Sequence, residues 1–180
     1  LDSYKPETQE YALNKGVHII NDINGGSEEL FKLTKKYNAG LFLMHKRGTP
    51  KDMQKKLNPR ANMVKEFDKF IEKRLKILDK MKFNLKKVWF DPGIGFGKTL
   101  NQNLQLMRSL SKYSHKNLQI LLGSSRKSWI NFIDPSNADQ RIGGSLASIT
   151  HALQQNVNTF RIHDVQETNQ MIKVLKALNK

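Results

Sequence analysis

The residues of this chain best suited to chemistry are carboxylates, amides and cations that each follow an apolar run. Val88-Trp89-Phe90-Asp91 ends at Pro92 and is followed by Gly93-Ile94-Gly95-Phe96-Gly97-Lys98. A proline stops a central strand, and closely spaced glycines form a loop that can approach a ligand. The stretch therefore reads as a strand delivering one acid to the floor of a cavity. A lone Asp-Pro-Gly also caps turns, so its company matters. Ile20 leads to Asn21-Asp22, Leu43 to Met44-His45, Leu122-Gly123 to Ser125-Arg126-Lys127-Ser128, and Phe160 to Arg161-Ile162-His163.

A ring of carboxylate, amide and lysine suits a flat heterocycle with a donor–acceptor edge. Asp2 and Asp91 can accept from ring N–H groups, while Asn21 can both donate and accept. Arg161 and His163 stand two apart on an expected strand and hence on one face. With Arg126 or Lys127 nearby they would hold an anion such as phosphate. Ser128 opens an expected helix, where backbone N–H groups favour a carboxylate or phosphate. No nucleophile–base pair is visible. His18, His115 and His151 lack metal-ligand spacing and read as structural, and His45 likewise. Gly97-Lys98-Thr99 invites a phosphate-loop reading, but the position five before Gly97 is Pro92. The dinucleotide fingerprint fails too, since the chain offers G-x-G-x-G in place of G-x-G-x-x-G.

The elements that position these groups alternate strictly. A short helix after Pro6 closes at Gly16, and strands follow at 17–23, 39–45, 88–91, 118–122 and 159–164. Helices are expected at 27–36, 63–81, 101–113, about 129–133, through Leu146 and Leu153, and over 165–178; Leu1-Asp2 reads as the end of a further strand. In 63–81 the residues Val64, Phe67, Ile71, Leu75 and Leu78 form one apolar stripe on a charged cylinder, which is core packing. Near-continuous apolar strands separated by helices predict a parallel sheet covered by helices. Every candidate group falls at a strand's C-terminal end, where a (β/α)8 TIM barrel assembles its site. The expectation is an α/β fold comprising about the last five β/α units of such a barrel.

The 180 residues support one domain, 1–180, and carry 31 Lys+Arg against 16 Asp+Glu, a net charge of +15. Lys65, Lys69, Lys73, Lys76 and Lys80 line a helix as a solvated face, and no nucleic-acid module accompanies the charge, so no nucleic-acid partner is expected. There is no apolar run long enough to span a membrane and no signal-like N-terminus. The absence of cysteine excludes disulfides and fits a cytoplasmic location.

Six motifs in order, Asp2-Ser-Tyr-Lys-Pro-Glu, Ile20-Asn-Asp-Ile23, Leu43-Met-His45, Phe90-Asp-Pro-Gly-Ile-Gly-Phe-Gly-Lys98, Ser125-Arg-Lys-Ser128 and Arg161-Ile-His-Asp-Val165, together resemble the dihydropteroate synthase family. The resemblance implies folate biosynthesis: 6-hydroxymethyl-7,8-dihydropterin diphosphate is joined to p-aminobenzoate with release of pyrophosphate. It implies that Asp2, Asn21, Asp91 and Lys127 bind the pterin, with Met44 and Ile23 lining its slot. Arg161 and His163 would hold the diphosphate, Phe96 and the Lys127 stem would lie near the aminobenzoate ring, and Ser128 would receive its carboxylate. Asp91, Lys127, Arg161 and His163 would carry the catalysis by electrostatics and positioning.

The resemblance also implies a sulfonamide target, a homodimer in the full-length protein, and Mg²⁺ held mainly by an Asn on a first strand preceding the position of Asp2. That strand and two lid loops are not among these residues, so the chain reads as N-terminally truncated, with two sheet edges left to pair or aggregate. Weak or absent turnover in isolation is the corresponding expectation. The rival enzyme is a methyltetrahydrofolate-type methyltransferase, which needs no diphosphate cradle. An inactive pterin-binding pseudoenzyme is the other alternative.

Overall fold

A computed structural model describes residues 1–48, 57–114 and 116–179. Helix α1 (Pro6–Asn14) leads to strand β1 (Ile19–Asp22), followed by α2 (Glu28–Lys36), β2 (Gly40–Met44) and α3 (Met63–Lys80). Next come β3 (Val88–Asp91), α4 (Leu100–Arg108), α5 (Ser111–Ser114), β4 (Gln119–Leu122) and α6 (Ser128–Asn131), then α7 (Ile142–Gln154), β5 (Thr159–Phe160) and α8 (Val165–Leu178). The five strands form one sheet in the order β1-β2-β3-β4-β5, every pairing parallel. Consecutive strands thus lie side by side with helical crossovers, the arrangement of a (β/α)8 barrel over five of its units. Ahead of β1 the backbone of residues 1–3 runs alongside it: Asn21 N donates to Leu1 O at 2.7 Å and Ser3 N to Asn21 O at 3.2 Å, joining Asp2 and Asn21 in a parallel bridge.

Strand parity divides the side chains. Ile20, Leu41, Leu43, Val88, Phe90, Ile120 and Leu122 point to the helices and form the core with Phe31, Phe67, Leu78 and Leu106. The opposite parity carries Asn21, Phe42, Met44, Trp89, Asp91 and Thr159. Phe42 and Trp89 are register partners and meet edge to face at 5.3 Å, and the Trp89 indole N–H donates to Thr159 Oγ1 at 3.2 Å. This concave face is where the candidate groups converge.

Local chemistry fixes the ends of the elements. Ser27 caps α2 and Asn62 caps α3 through side chains that accept from Leu30 N and Lys65 N. Thr99 and Gln102 form a reciprocal capping box at α4. Gln102 also donates to the carbonyls of Asn58 and Ala61, at 2.7 and 3.0 Å, tying the approach to α3 onto α4.

Several expected elements are shorter than the sequence suggests, among them the strand expected over 17–23, which is Ile19–Asp22, and two have a visible cause. The helix expected over 101–113 stops at Arg108, where the Ser109 hydroxyl donates back to Gln105 O at 2.7 Å, and a separate turn, α5, follows. The strand expected over 159–164 ends at Phe160. Arg161 N still donates to Leu122 O, but the backbone then leaves the sheet and Asp164 is drawn to Arg126. Arg161 and His163 therefore do not share a strand face. Thr49 and Pro50 of the loop after β2, and His115, lie outside the described residues. Among the described residues no helix is long and apolar enough to cross a membrane.

Candidate active site

The site is built on the fully buried Asp91 at the end of β3. One carboxylate oxygen accepts from Gly93 N at 2.7 Å, and the other accepts from Arg161 Nη2 at 2.8 Å. The second guanidinium nitrogen, Nη1, donates to Asn21 Oδ1 at 2.6 Å, so one arginine bridges the ends of β1 and β3 from the end of β5. Asn21 is buried, and its Nδ2 donor has no partner among the described residues. A buried donor of this kind ordinarily has an acceptor.

Lys127 approaches the same carboxylate from the loop after β4. Its ammonium donates to Ile94 O and lies 4.6 Å from the centre of the Phe96 ring. Burial pushes its pKa down to about 8, Asp91 opposes that shift, and Arg161 adds to it. Met44 is buried at the end of β2 beside Asp91, its register partner. Asp2 is exposed next to Asn21, Ile23 is half-buried in the turn after β1, and Ser128 is exposed as the first residue of α6.

The anion cradle differs from expectation. Arg161 faces Asp91 and Asn21. His163 is exposed, and its Nδ1 hydrogen bonds with the Ser125 hydroxyl at 3.0 Å. Arg126, offered by the sequence beside Lys127 as an anion ligand, is engaged elsewhere. It adopts a left-handed backbone (φ 56°), forms a bidentate ion pair with Asp164, and holds that carboxyl below the usual range. Its backbone N–H donates to Ser145 Oγ and its carbonyl accepts from Arg141, so the residue is a strut.

Lys98 is the group that sequence reasoning missed. Almost wholly buried, its ammonium donates to the carbonyls of His45 (3.1 Å), Gly93 (2.9 Å) and Phe96 (3.0 Å), clamping the glycine loop to the end of β2. Burial pushes its pKa down to about 7, with Asp91 opposing and Lys127 reinforcing the shift. The signal available in the sequence is a lysine that closes three alternating glycines. Gly93 sits at φ +63°, and a Cβ there would come 2.0 Å from His45 O, so only glycine permits the loop to lie against β2.

His45 is structural, as expected. Its ring packs against Phe67 and Phe70 at 5.9 and 5.5 Å, and burial, reinforced by Lys98, pushes its pKa from 6.5 to about 3. An imidazole that ionises near 3 when folded and near 6.5 when unfolded takes up its proton only in the unfolded chain between those values. Its contribution is therefore complete above about pH 6.5 and is lost as pH falls toward 3, at up to ~1.4 kcal/mol per pH unit. Urea midpoints measured from pH 7 to 4 should fall less steeply in His45→Phe than in the parent; equal slopes would contradict the assignment.

The chain as a whole has relatives among known proteins. Residues 1–163 match the family described as pterin-binding enzyme. The chain belongs to that family. It is 34% identical to the bifunctional dihydropteroate synthase/dihydropteroate reductase of Helicobacter pylori, over all of this chain and 47% of that protein. It is also 34% identical to the dihydropteroate synthase of Escherichia coli K12, over 98% of this chain and 63% of that protein. The chain thus spans between about half and two-thirds of the length of these relatives. The Thermus thermophilus dihydropteroate synthase in complex with 6HMPPP superposes with a TM-score of 0.89 at 31% identity, covering 99% of this chain and 71% of that one. The same enzyme is also solved with 4-aminobenzoate. Among pterin-binding enzymes, then, this chain contributes five β/α units and the strand-end groups they carry.

Proposed function

We propose that this chain, residues 1–180 as one domain, provides the substrate pocket of a dihydropteroate synthase acting in folate biosynthesis. The observation that carries the reading is the convergence of Asp91, Asn21 and Lys127 around one concave-face position, with Arg161 across it. Asp91 and Asn21, with Asp2 at the rim, recognise the donor–acceptor edge of a dihydropterin; Met44 and Ile23 line its slot. Lys127 approaches from the other side, its stem and Phe96 forming a surface for p-aminobenzoate, whose carboxylate meets Ser128. Arg161, turned outward, and His163 receive the diphosphate.

In the reaction the C–O bond between the pterin methylene and the diphosphate breaks. The arylamine nitrogen forms the new C–N bond and loses one proton, and pyrophosphate carries away the electron pair of the broken bond. Positive charge develops on the pterin as the anion departs. A fully buried carboxylate at Asp91 offsets it in a low-dielectric site, while Arg161 and His163 stabilise the leaving group. No covalent nucleophile is required. The T. thermophilus relative solved with 6HMPPP and with 4-aminobenzoate supports both substrate assignments.

The family resemblance implies Mg²⁺, but among the described residues no three His, Cys, Asp or Glu side chains converge to hold a metal, and the Asp91 oxygens are occupied by Gly93 N and Arg161. The groups present do not make a magnesium site, and no step here is routed through one. We place the reaction in the cytoplasm. We assign homodimerisation to the exposed apolar residues Val165, Val174 and Leu178 of α8. The test is equilibrium binding of the pterin diphosphate to the purified chain, followed by p-aminobenzoate-dependent pyrophosphate release. Saturable micromolar binding is expected; a folded chain that binds no pterin would falsify the reading. Binding without pyrophosphate release would leave the pocket assigned, and is the outcome expected of a chain that spans only part of its relatives' length.

A further inference from the structure

We infer that Ser125 is a positioning residue for the proposed reaction: its hydroxyl donates to His163 Nδ1 and fixes the neutral imidazole as the Nε2–H tautomer, a ready donor to the diphosphate. The inference rests on the diphosphate reading of His163 and deepens it, because it states in which form of the ring that residue works.

The hydrogen-bond inventory of the pair decides the direction of the bond. Ser125 Oγ lies 3.0 Å from His163 Nδ1 and accepts from His163 N at 3.4 Å. Ser125 is buried, and among the described residues its hydroxyl has no other hydrogen-bond partner. A hydroxyl carries one hydrogen and two lone pairs. If Nδ1 held the ring proton, the oxygen would accept from two donors and its own hydrogen would be buried without an acceptor. A buried donor left unmatched is costly, whereas the opposite direction satisfies all three groups. The proton of the neutral ring therefore sits on Nε2, on the far side of an exposed residue and without a partner among the described residues.

Ser125 can set the ring because it is itself held on both sides. Before it, Ser124 Oγ hydrogen bonds with Ser148 Oγ of α7 at 2.7 Å, and the Trp129 indole donates to Ser124 O at 3.2 Å. After it, Arg126 N donates to Ser145 Oγ at 2.9 Å and Arg126 O accepts from Arg141 at 3.0 Å. A supporting group on so fixed a base keeps the group it supports in one orientation. The reaction gains a hydrogen bond to the departing oxyanion that needs no charged histidine, and no proton leaves the ring when the C–O bond breaks. In the imidazolium both nitrogens are donors, so there is no tautomer left to choose. The influence of Ser125 on the anion thus belongs to the neutral ring.

The charged groups at this corner are Asp164, whose carboxyl responds to His163, and Arg126, which pairs with Asp164. Asp139 and Glu167 act on Arg126, and Arg161 acts on Lys127. Carboxylates and guanidinium groups ordinarily keep their charge between about pH 5.5 and 7.5. Lys127, at about 8, begins to lose its proton toward the upper end, and does so in parent and variant alike.

The test combines nitrogen-15 spectra of the imidazole-labelled chain, with His163→Gln identifying the resonances, and calorimetric titration with inorganic pyrophosphate. The parent, Ser125→Ala and Ser125→Thr are compared with one another at about pH 7.5 and again at about pH 5.5, so that titration of pyrophosphate itself cancels. At the higher pH the parent should carry the His163 proton on Nε2, and Ser125→Ala should show a ring averaging between tautomers. Ser125→Ala should then bind pyrophosphate about fivefold more weakly than the parent, the scale of one side chain newly immobilised on binding, and Ser125→Thr, which keeps the hydroxyl, within about twofold. At the lower pH, with the ring charged, the deficit of Ser125→Ala should narrow to about twofold or less. A proton on Nδ1 in the parent, or a deficit of equal size at both pH values, would overturn the inference. The spectrum of the parent needs no variant, so it decides the tautomer even if Ser125→Ala fails to fold. A parent that shows the Nε2–H tautomer but binds no pyrophosphate would reject the diphosphate reading of His163, and the role of Ser125 with it.

Discussion

Asp91→Asn is expected to lower affinity for the pterin diphosphate at least a hundredfold, on the scale of the ~3–5 kcal/mol that follows loss of one partner from a buried ion pair. Asp91 is fully buried, contacts Arg161 directly, and is the carboxylate that raises the pKa of both Lys98 and Lys127. An amide of the same shape keeps the acceptor for Gly93 N but removes the buried charge that opposes three cations. Lys127 and Lys98 should then ionise below about 8 and about 7 respectively, because the carboxylate opposes the effect of burial at both. Titration of the folded variant with the pterin diphosphate decides the matter. Affinity within threefold of the parent would remove Asp91 from the recognition edge.

Lys98→Met is expected to destabilise the fold by about 3 kcal/mol without touching substrate. The carbonyls of His45, Gly93 and Phe96 lose the ammonium together; Gly93 O keeps the Phe96 N–H at 3.0 Å, and each buried acceptor left unpaired costs about 1–3 kcal/mol. Relief from burying the ammonium offsets part of that sum. For a chain of this size the loss corresponds to a melting temperature lower by roughly 6–12 °C. Phe96, whose carbonyl is one of the three, should lose its fixed place over Lys127, so p-aminobenzoate binding should weaken more than pterin binding. Lys98→Arg has enough donors but not the compact shape, and should recover only part of the stability. A melting temperature within 2 °C of the parent would show that the clamp is dispensable.

Much of this architecture was legible because strand ends announce themselves chemically. Val88–Asp91 matches the expected strand residue for residue, since the apolar run meets a proline and a run of glycines that no ladder accommodates. Parity then brought Asn21 and Asp91 to one face without further information. What the sequence could not express was competition between side chains and backbone. The strand expected to reach Asp164 ends at Phe160, and nothing in Arg161-Ile162-His163-Asp164 indicates that Arg126, nearly forty residues earlier, has a prior claim on Asp164. The same unseen pairing removed Arg126 from the anion cradle. Lys98 was hidden for another reason. A buried lysine is rare, and only the folded positions of three carbonyls make one reasonable.

The hydrogen bond from Arg161 to Asn21 joins residues 140 positions apart. Its closure carries a large loop entropy, and contacts of such separation form late in folding. A chain that grows from its N-terminus can complete β1 to β4 and their helices before Arg161 has been added at all. The pocket is therefore expected to be the last feature to mature, and hydrogen exchange should find its protection arising after that of the strands it rests on.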